Sequence, residues 1–181
     1  MKAIVNVNES WGIGFDGELL EFIPEDMRFF RETTKEKIVV MGRKTLLSFP
    51  GGHPLKNRTN IVLTSDKSSI DGSMMDEINL DTTKRTRLII AESMEEVLDL
   101  LRLYNTDDVY IIGGEKVYRE FLPYCSEALV TINNSTKQAD SFFPDLNRLP
   151  NWKLLREGQK YTHEGIQYRF TTYINTDFEE R

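Results

Sequence analysis

Ile111-Ile112-Gly113-Gly114-Glu115-Lys116-Val117-Tyr118 runs from an apolar strand, through two glycines, into a helix. Without a Cβ in the way, backbone amides at such a junction can approach an anion at the positive end of the helix. The segment matches neither the dinucleotide pattern GxGxxG nor the phosphate-loop pattern GxxxxGK(S/T), so alone it reads equally well as a plain turn. A second junction of this kind is Met41-Gly42-Arg43-Lys44-Thr45, with two cations at the helix start. Cations there oppose the helix dipole, a cost that a bound phosphate would offset; solvated surface cations are the other reading. Thr64 and Ser65 end the next apolar run and could join that site. Two anion-binding turns along one sheet edge suit a phosphorylated dinucleotide lying across the carboxyl ends of parallel strands.

Outward from these turns, β-rich runs recur at 3–7, 37–41, 60–64, 87–91, 109–112, 128–132 and 168–174, with helical patterns at 25–34, 43–49, 94–104 and 115–122. The alternation predicts a single-domain α/β fold: a mostly parallel central sheet of about eight strands, flanking helices and an antiparallel C-terminal edge. The runs around Val39, Ile61, Ile89 and Ile111 are apolar through consecutive residues, as in parallel strands covered on both faces. Ser93 and Glu96 have capping-box spacing ahead of Val97, Leu98, Leu101 and Tyr104 on one face, which marks a scaffold helix. Residues 66–85 are polar and read as a surface excursion, and the charged tail after 175 is expected to fray.

With 181 residues, 39% of them hydrophobic, the chain suffices for one core. No stretch approaches the ~20 apolar residues of a membrane-spanning helix, and no secretory signal is visible, so a cytoplasmic protein without membrane contact is expected. The net charge of -6 speaks against a general nucleic-acid surface. One cysteine, Cys125, builds neither a disulfide nor a metal framework.

Pro24-Glu25-Asp26 opens a helix, with proline in the first turn and two acids that suit the dipole. Asp26 shares a face with Phe30 and sits beside Ile23 and Met27. It is then either an ordinary dipole partner or a carboxylate in an apolar cleft, where desolvation raises its proton affinity and a cationic, amidine-like ligand edge would be rewarded.

Taken in order, these residues resemble the dihydrofolate reductase family. The resemblance covers Ile13-Gly14 within the loop 11–19, Ile23-Pro24-Glu25-Asp26-Met27 with Phe30, Val40-Met41-Gly42-Arg43-Lys44-Thr45 and Pro54-Leu55-Lys56-Asn57-Arg58-Thr59-Asn60. It continues through Ile112 to Tyr118, Phe121-Leu122-Pro123, Thr131 and Ala139-Asp140-Ser141-Phe142-Phe143-Pro144. Leu20-Glu21 stands where the family usually carries Pro-Trp, and Asn6 where it carries a small residue. Glu21 either raises the proton affinity of Asp26 or faces solvent, and solvent is the expectation.

The resemblance implies a reductase domain over 1–175, followed by the tail 176–181, that passes hydride from NADPH to 7,8-dihydrofolate and so serves one-carbon metabolism. It implies Asp26 as the catalytic carboxylate, and Ile4, Val5, Asp26, Met27, Phe30, Leu55, Arg58 and Thr131 around the substrate, with Arg58 on the glutamate carboxylate. For the cofactor it implies Asn6, Ile13, Gly14, Gly42, Arg43, Lys44, Thr45, Thr64, Ser65, Ile112, Gly113, Gly114, Glu115, Lys116, Val117 and Tyr118. Loop 11–19 would be a lid, antifolates would inhibit, and a monomer without metal or nucleic acid is expected. Two alternatives stay open: a same-fold reductase of riboflavin synthesis, and a non-catalytic nucleotide-binding protein that kept the fold.

Overall fold

The computed structural model describes residues 1–66, 68, 70 and 85–180. Most of the excursion read at 66–85 therefore lies outside the described residues.

The chain alternates strands β1 (Lys2–Asn8), β4 (Ile38–Gly42), β5 (Thr59–Leu63), β6 (Arg87–Ala91), β7 (Val109–Gly113) and β8 (Glu127–Asn133) with helices α1 (Pro24–Thr34), α2 (Arg43–Ser48), α3 (Met94–Leu101) and α4 (Glu115–Phe121). Short strands β2 (Gly12–Phe15), β3 (Glu18–Leu19) and β9 (Ser141–Phe142) form a separate small sheet. The chain ends in β10 (Trp152–Glu157), β11 (Tyr161–His163) and β12 (Ile166–Asn175). The main sheet runs β10-β12-β8-β1-β7-β4-β5-β6, with β11 added to β12. From β8 to β6 every neighbouring pair is parallel; β12 is antiparallel to β8, and β10 and β11 to β12. The predicted parallel centre with an antiparallel C-terminal edge is the observed architecture.

Side chains alternate across a strand, so one sheet feeds two apolar layers. Ala3, Val5, Val7, Val40, Ile111 and Val130 meet Val97 and Leu101 of α3 and Val117, Tyr118 and Phe121 of α4. On the opposite face Ile4, Val39, Met41, Tyr110, Ile112 and Leu129 meet Leu46 of α2 and Phe29 and Phe30 of α1. The alternation thus decides which strand residues can reach α1.

The capping-box spacing is realised at α3: the Glu96 amide donates to Ser93 Oγ at 3.1 Å, while Glu96 Oε2 accepts from the Glu92 amide at 2.7 Å. The helix is shorter than the predicted 94–104, because the Leu103 and Tyr104 amides turn to carbonyls three residues back. The tail expected to fray is tied down at two points, by the Thr176 amide on the Asn151 carbonyl and the Glu179 amide on the Pro123 carbonyl. Cys125 is buried; its thiol donates to the Phe121 carbonyl at 3.3 Å, and burial pushes its pKa up to about 12.

Phe121 has no exposed surface and closes the α4 side of the core. Phe121→Ala should lower unfolding stability by about 3–5 kcal/mol in urea titrations while the folded baseline is kept.

Candidate active site

Asp26 lies in the first turn of α1, which Pro24 opens and Ile23 enters in extended conformation. The first turn aims the Asp26 side chain back under the sheet, and only 5% of its surface remains exposed. Asn6 of β1 and Thr131 of β8 are register partners in the parallel ladder. Each stands two residues beyond a side chain of the α1-facing layer, Ile4 and Leu129, so both project toward α1. Asn6 Nδ2 donates to Asp26 Oδ2 at 3.0 Å, and the Thr131 side chain hydrogen bonds the same carboxyl group. Burial holds the Asp26 pKa above its ordinary value of 3.8, with the Thr131 and Asn6 hydrogen bonds acting in the opposite sense. A carboxylate kept dry beside a half-buried aromatic is the second of the two sequence readings.

Around it, Phe30 and Leu55 are partly buried in the same layer as Ile4 and Ile112. Met27 is half-buried on the next position of the helix. Val5 is a correction: alternation turns its side chain into the α3/α4 layer, so it faces away from Asp26 and only its backbone lies near the cleft. Arg58 is buried, its guanidinium donating to Thr34 Oγ1 at 2.9 Å, the Lys56 carbonyl at 2.6 Å and the Arg31 carbonyl at 2.9 Å. With five N–H donors and no ion-paired carboxylate among the described residues, the fork is held in place and retains donors for an acidic ligand.

The two glycine turns converge. β4 pairs with β7, Met41 standing opposite Gly113, and a Cβ on Gly42 would lie 3.3 Å from Val117 Cγ2 and 4.0 Å from the Gly114 nitrogen. Gly113 has φ +116, and a Cβ there would meet the Tyr118 ring at 3.1 Å; the Gly113–Gly114 peptide is cis. Thr45 Oγ1 stands 3.4 Å from where a Gly114 Cβ would be. Arg43 is half-buried and Lys44 exposed. Thr64 is buried, its hydroxyl engaged with the backbone of Asp66, while Ser65 is exposed. Three residues read as cofactor contacts have their side chains committed elsewhere, leaving only backbone to a ligand. Val117 packs in the core, Tyr118 is buried with its hydroxyl on the Ile4 carbonyl at 2.7 Å, and Glu115 pairs with Arg119. Lys116 is exposed on the first turn of α4, 3.7 Å from Glu120.

Loop 11–19 forms a hairpin, β2 pairing antiparallel with β3. Asp16 and Gly17 both have positive φ, 50 and 83, the two-residue turn that an Asp-Gly pair favours. A Cβ on Gly14 would come within 2.7 Å of the Glu18 carbonyl oxygen, so the hairpin requires glycine there. Half-buried Ile13 packs against the core. Trp11 anchors the base, stacked on Phe143 at 6.1 Å. Asp140, which sequence reasoning did not single out, accepts from the Asp16 amide at 2.9 Å, while Glu115 Oε2 accepts from the Phe142 amide at 3.0 Å.

The family model for dihydrofolate reductase matches residues 1–175. The chain belongs to the dihydrofolate reductase family. The dihydrofolate reductase of Staphylococcus haemolyticus is 32% identical over 175 residues, covering 96% of this chain and 94% of that one. A bifunctional dihydrofolate reductase-thymidylate synthase of Glycine max is also 32% identical, over 189 residues, and the chain spans 33% of its length. The solved dihydrofolate reductase from Enterococcus faecalis, complexed with NADP(H) and RAB-propyl, superimposes with a TM-score of 0.79 at 29% identity, covering 97% of this chain and 96% of that one.

Both departures from the dihydrofolate reductase pattern have structural consequences. Glu21, expected to face solvent, is instead largely enclosed, its side chain 13% exposed. It accepts from Ser135 Oγ at 2.6 Å and pairs with Lys137 Nζ at 3.1 Å, and Lys137 also donates to the Leu20 carbonyl at 2.9 Å. The end of the hairpin loop is thereby clamped to the segment after β8, in place of the family's indole. Asn6, read as a cofactor contact, points its side chain at Asp26 and accepts from Asn133 Nδ2 at 2.8 Å.

A raised carboxyl pKa means that the folded chain binds its proton more tightly than the unfolded chain. The stability from this group is complete below about pH 4, the unfolded value, and is lost as pH rises through the folded pKa. Asp26→Asn should therefore stabilise the fold, by a margin that grows from about pH 4 upward until the folded carboxyl has ionised, in paired denaturant titrations.

Proposed function

We propose that the chain reduces 7,8-dihydrofolate to tetrahydrofolate with NADPH. Family membership supports the reaction class, and the observation that carries the assignment is a dry carboxylate, Asp26, on the sheet face that also holds Phe30, Leu55 and Arg58. The two touching glycine turns fit a dinucleotide. At Gly42 and Gly113 a Cβ would press on Val117 and Tyr118, and Arg43 and Lys44 beside them have no ion-paired carboxylate among the described residues. Bound there, NADPH supplies the hydride.

The chain's own groups then orient and polarise. Asp26 accepts from the 2-amino group and ring nitrogen of the pterin, fixing its face and favouring protonation of the ring by its field. Ile4, Met27, Phe30 and Leu55 exclude water from the ring system, and Thr131 holds Asp26 in place. Arg58 takes the glutamate carboxylate through its free donors. Gly42, Thr45, Gly113 and Gly114 receive the dinucleotide backbone, Arg43, Lys44, Thr64 and Ser65 its 2′-phosphate end, and the hairpin with Ile13 and Gly14 covers the nicotinamide. The proposed working unit is a monomer, since every group assigned lies within one chain, and its proposed location is the cytoplasm.

The test is loss of reduced-cofactor absorbance. Purified protein should oxidise NADPH only with dihydrofolate present, and a diaminopyrimidine antifolate should stop it; no oxidation would sink the assignment. Asp26→Asn should reduce turnover about a hundredfold or more at neutral pH while NADPH binding by fluorescence is unchanged. Arg58→Lys keeps the charge but loses the fork, and should raise the KM for dihydrofolate about tenfold with a smaller effect on kcat.

A further inference from the structure

Three side-chain amides and carboxylates form a chain whose direction is set at one end. The backbone N–H of Ser135 can only donate, and it lies 2.9 Å from Asn133 Oδ1. The Asn133 amide must then turn its Nδ2 outward, and it donates to Asn6 Oδ1 at 2.8 Å. With its oxygen so occupied, Asn6 presents Nδ2 to Asp26 Oδ2 at 3.0 Å. Asn6, Thr131 and Asn133 all project to the α1 side because β1 and β8 are parallel and in register, Asn6 with Thr131 and Asn8 with Asn133.

Among the described residues, the titratable groups that interact electrostatically with Asp26 from other elements are the phenols of Tyr118 on α4, which lies across the sheet with its hydroxyl on the Ile4 carbonyl, and Tyr168 on β12; on its own helix Glu25 hydrogen bonds Tyr168. The ionised carboxylate is therefore supported by hydrogen bonds, from Thr131 and Asn6, against its own burial. We infer that Asn6 is a positioning residue: oriented by Asn133, it holds the Asp26 carboxylate inward and ionised, and so sets the pH range in which that group works. The role in turnover rests on the proposed function; the effect on Asp26 does not.

The titration of Asp26 can be followed without substrate, by carbon NMR of protein labelled at aspartate carboxyls, with Asp26→Asn identifying the resonance. Asn6→Leu keeps the volume and removes the donor, and should move the Asp26 midpoint to higher pH. Asn133→Leu should move it the same way by less, and add nothing once Asn6 is Leu, because Asn133 acts only through Asn6. The pH–rate profile of NADPH oxidation should move in parallel. If Asn6→Leu does not fold, Asn6→Ala serves the same purpose.

A folded Asn6 variant with an unmoved midpoint overturns the inference, even where its melting temperature falls, since a purely structural role would lower stability alone. A larger shift in Asn133→Leu than in Asn6→Leu also overturns it. Absence of any turnover by the unaltered protein would remove the proposed reaction and leave the titration result standing.

Discussion

β1 lies between β7 and β8 in one parallel ladder, and that placement determines which side chains meet. Its even-numbered residues share a layer with α1, so Ile4 and Asn6 come beneath Asp26. Its odd-numbered residues lock into α3 and α4. The Ile4 carbonyl also receives the Tyr118 hydroxyl, which ties α4 to the same strand. A one-residue slip of β1 would exchange the two sets, put Val5 under the carboxylate and leave Asn6 buried in apolar surroundings. Register, more than any single contact, is what assembles the cleft.

Within that frame the site sets burial against polarity. Ile23, Phe30 and the sheet remove water from Asp26, which favours its neutral form. Asn6 and Thr131 return hydrogen bonds that favour the charged form. Such a group is costly to the fold and useful to a ligand that brings its own donors, which is why strongly perturbed carboxylates concentrate in clefts. The clamp of Glu21 by Ser135 and Lys137 answers the same need at the rim, where an extra carboxylate is neutralised by its own cation and does not load more charge onto Asp26.

What could be read in the sequence was local. Pro24-Glu25-Asp26 announces a helix start and Ser93 with Glu96 a cap, because the interacting groups are at most a few residues apart. The two glycine junctions were visible as turns, but their contact depends on β4 lying beside β7, a pairing between residues far apart in the chain. The Asp16-Gly17 pair carried a hairpin signal that the reading of loop 11–19 left unused. Strand β10 was missed because, after buried Trp152, Lys153 to Glu157 are all exposed and show no alternation. Lys137 could not have been matched to Glu21, since 116 residues separate them. Val5 could have been placed correctly: it alternates with Ile4 and Asn6, and only one of the two sets can face α1.

Cys125 is the chain's single cysteine, and it is enclosed beneath α4 with a thiol that resists ionisation. Nucleophilic attack by cysteine needs the thiolate, so burial and a raised pKa both oppose reaction of the native sulfur with maleimides at neutral pH. The molecule thus offers a silent background for site-directed labelling. A cysteine introduced at the exposed hairpin tip would carry a fluorophore alone, and the movements of that hairpin could be watched directly.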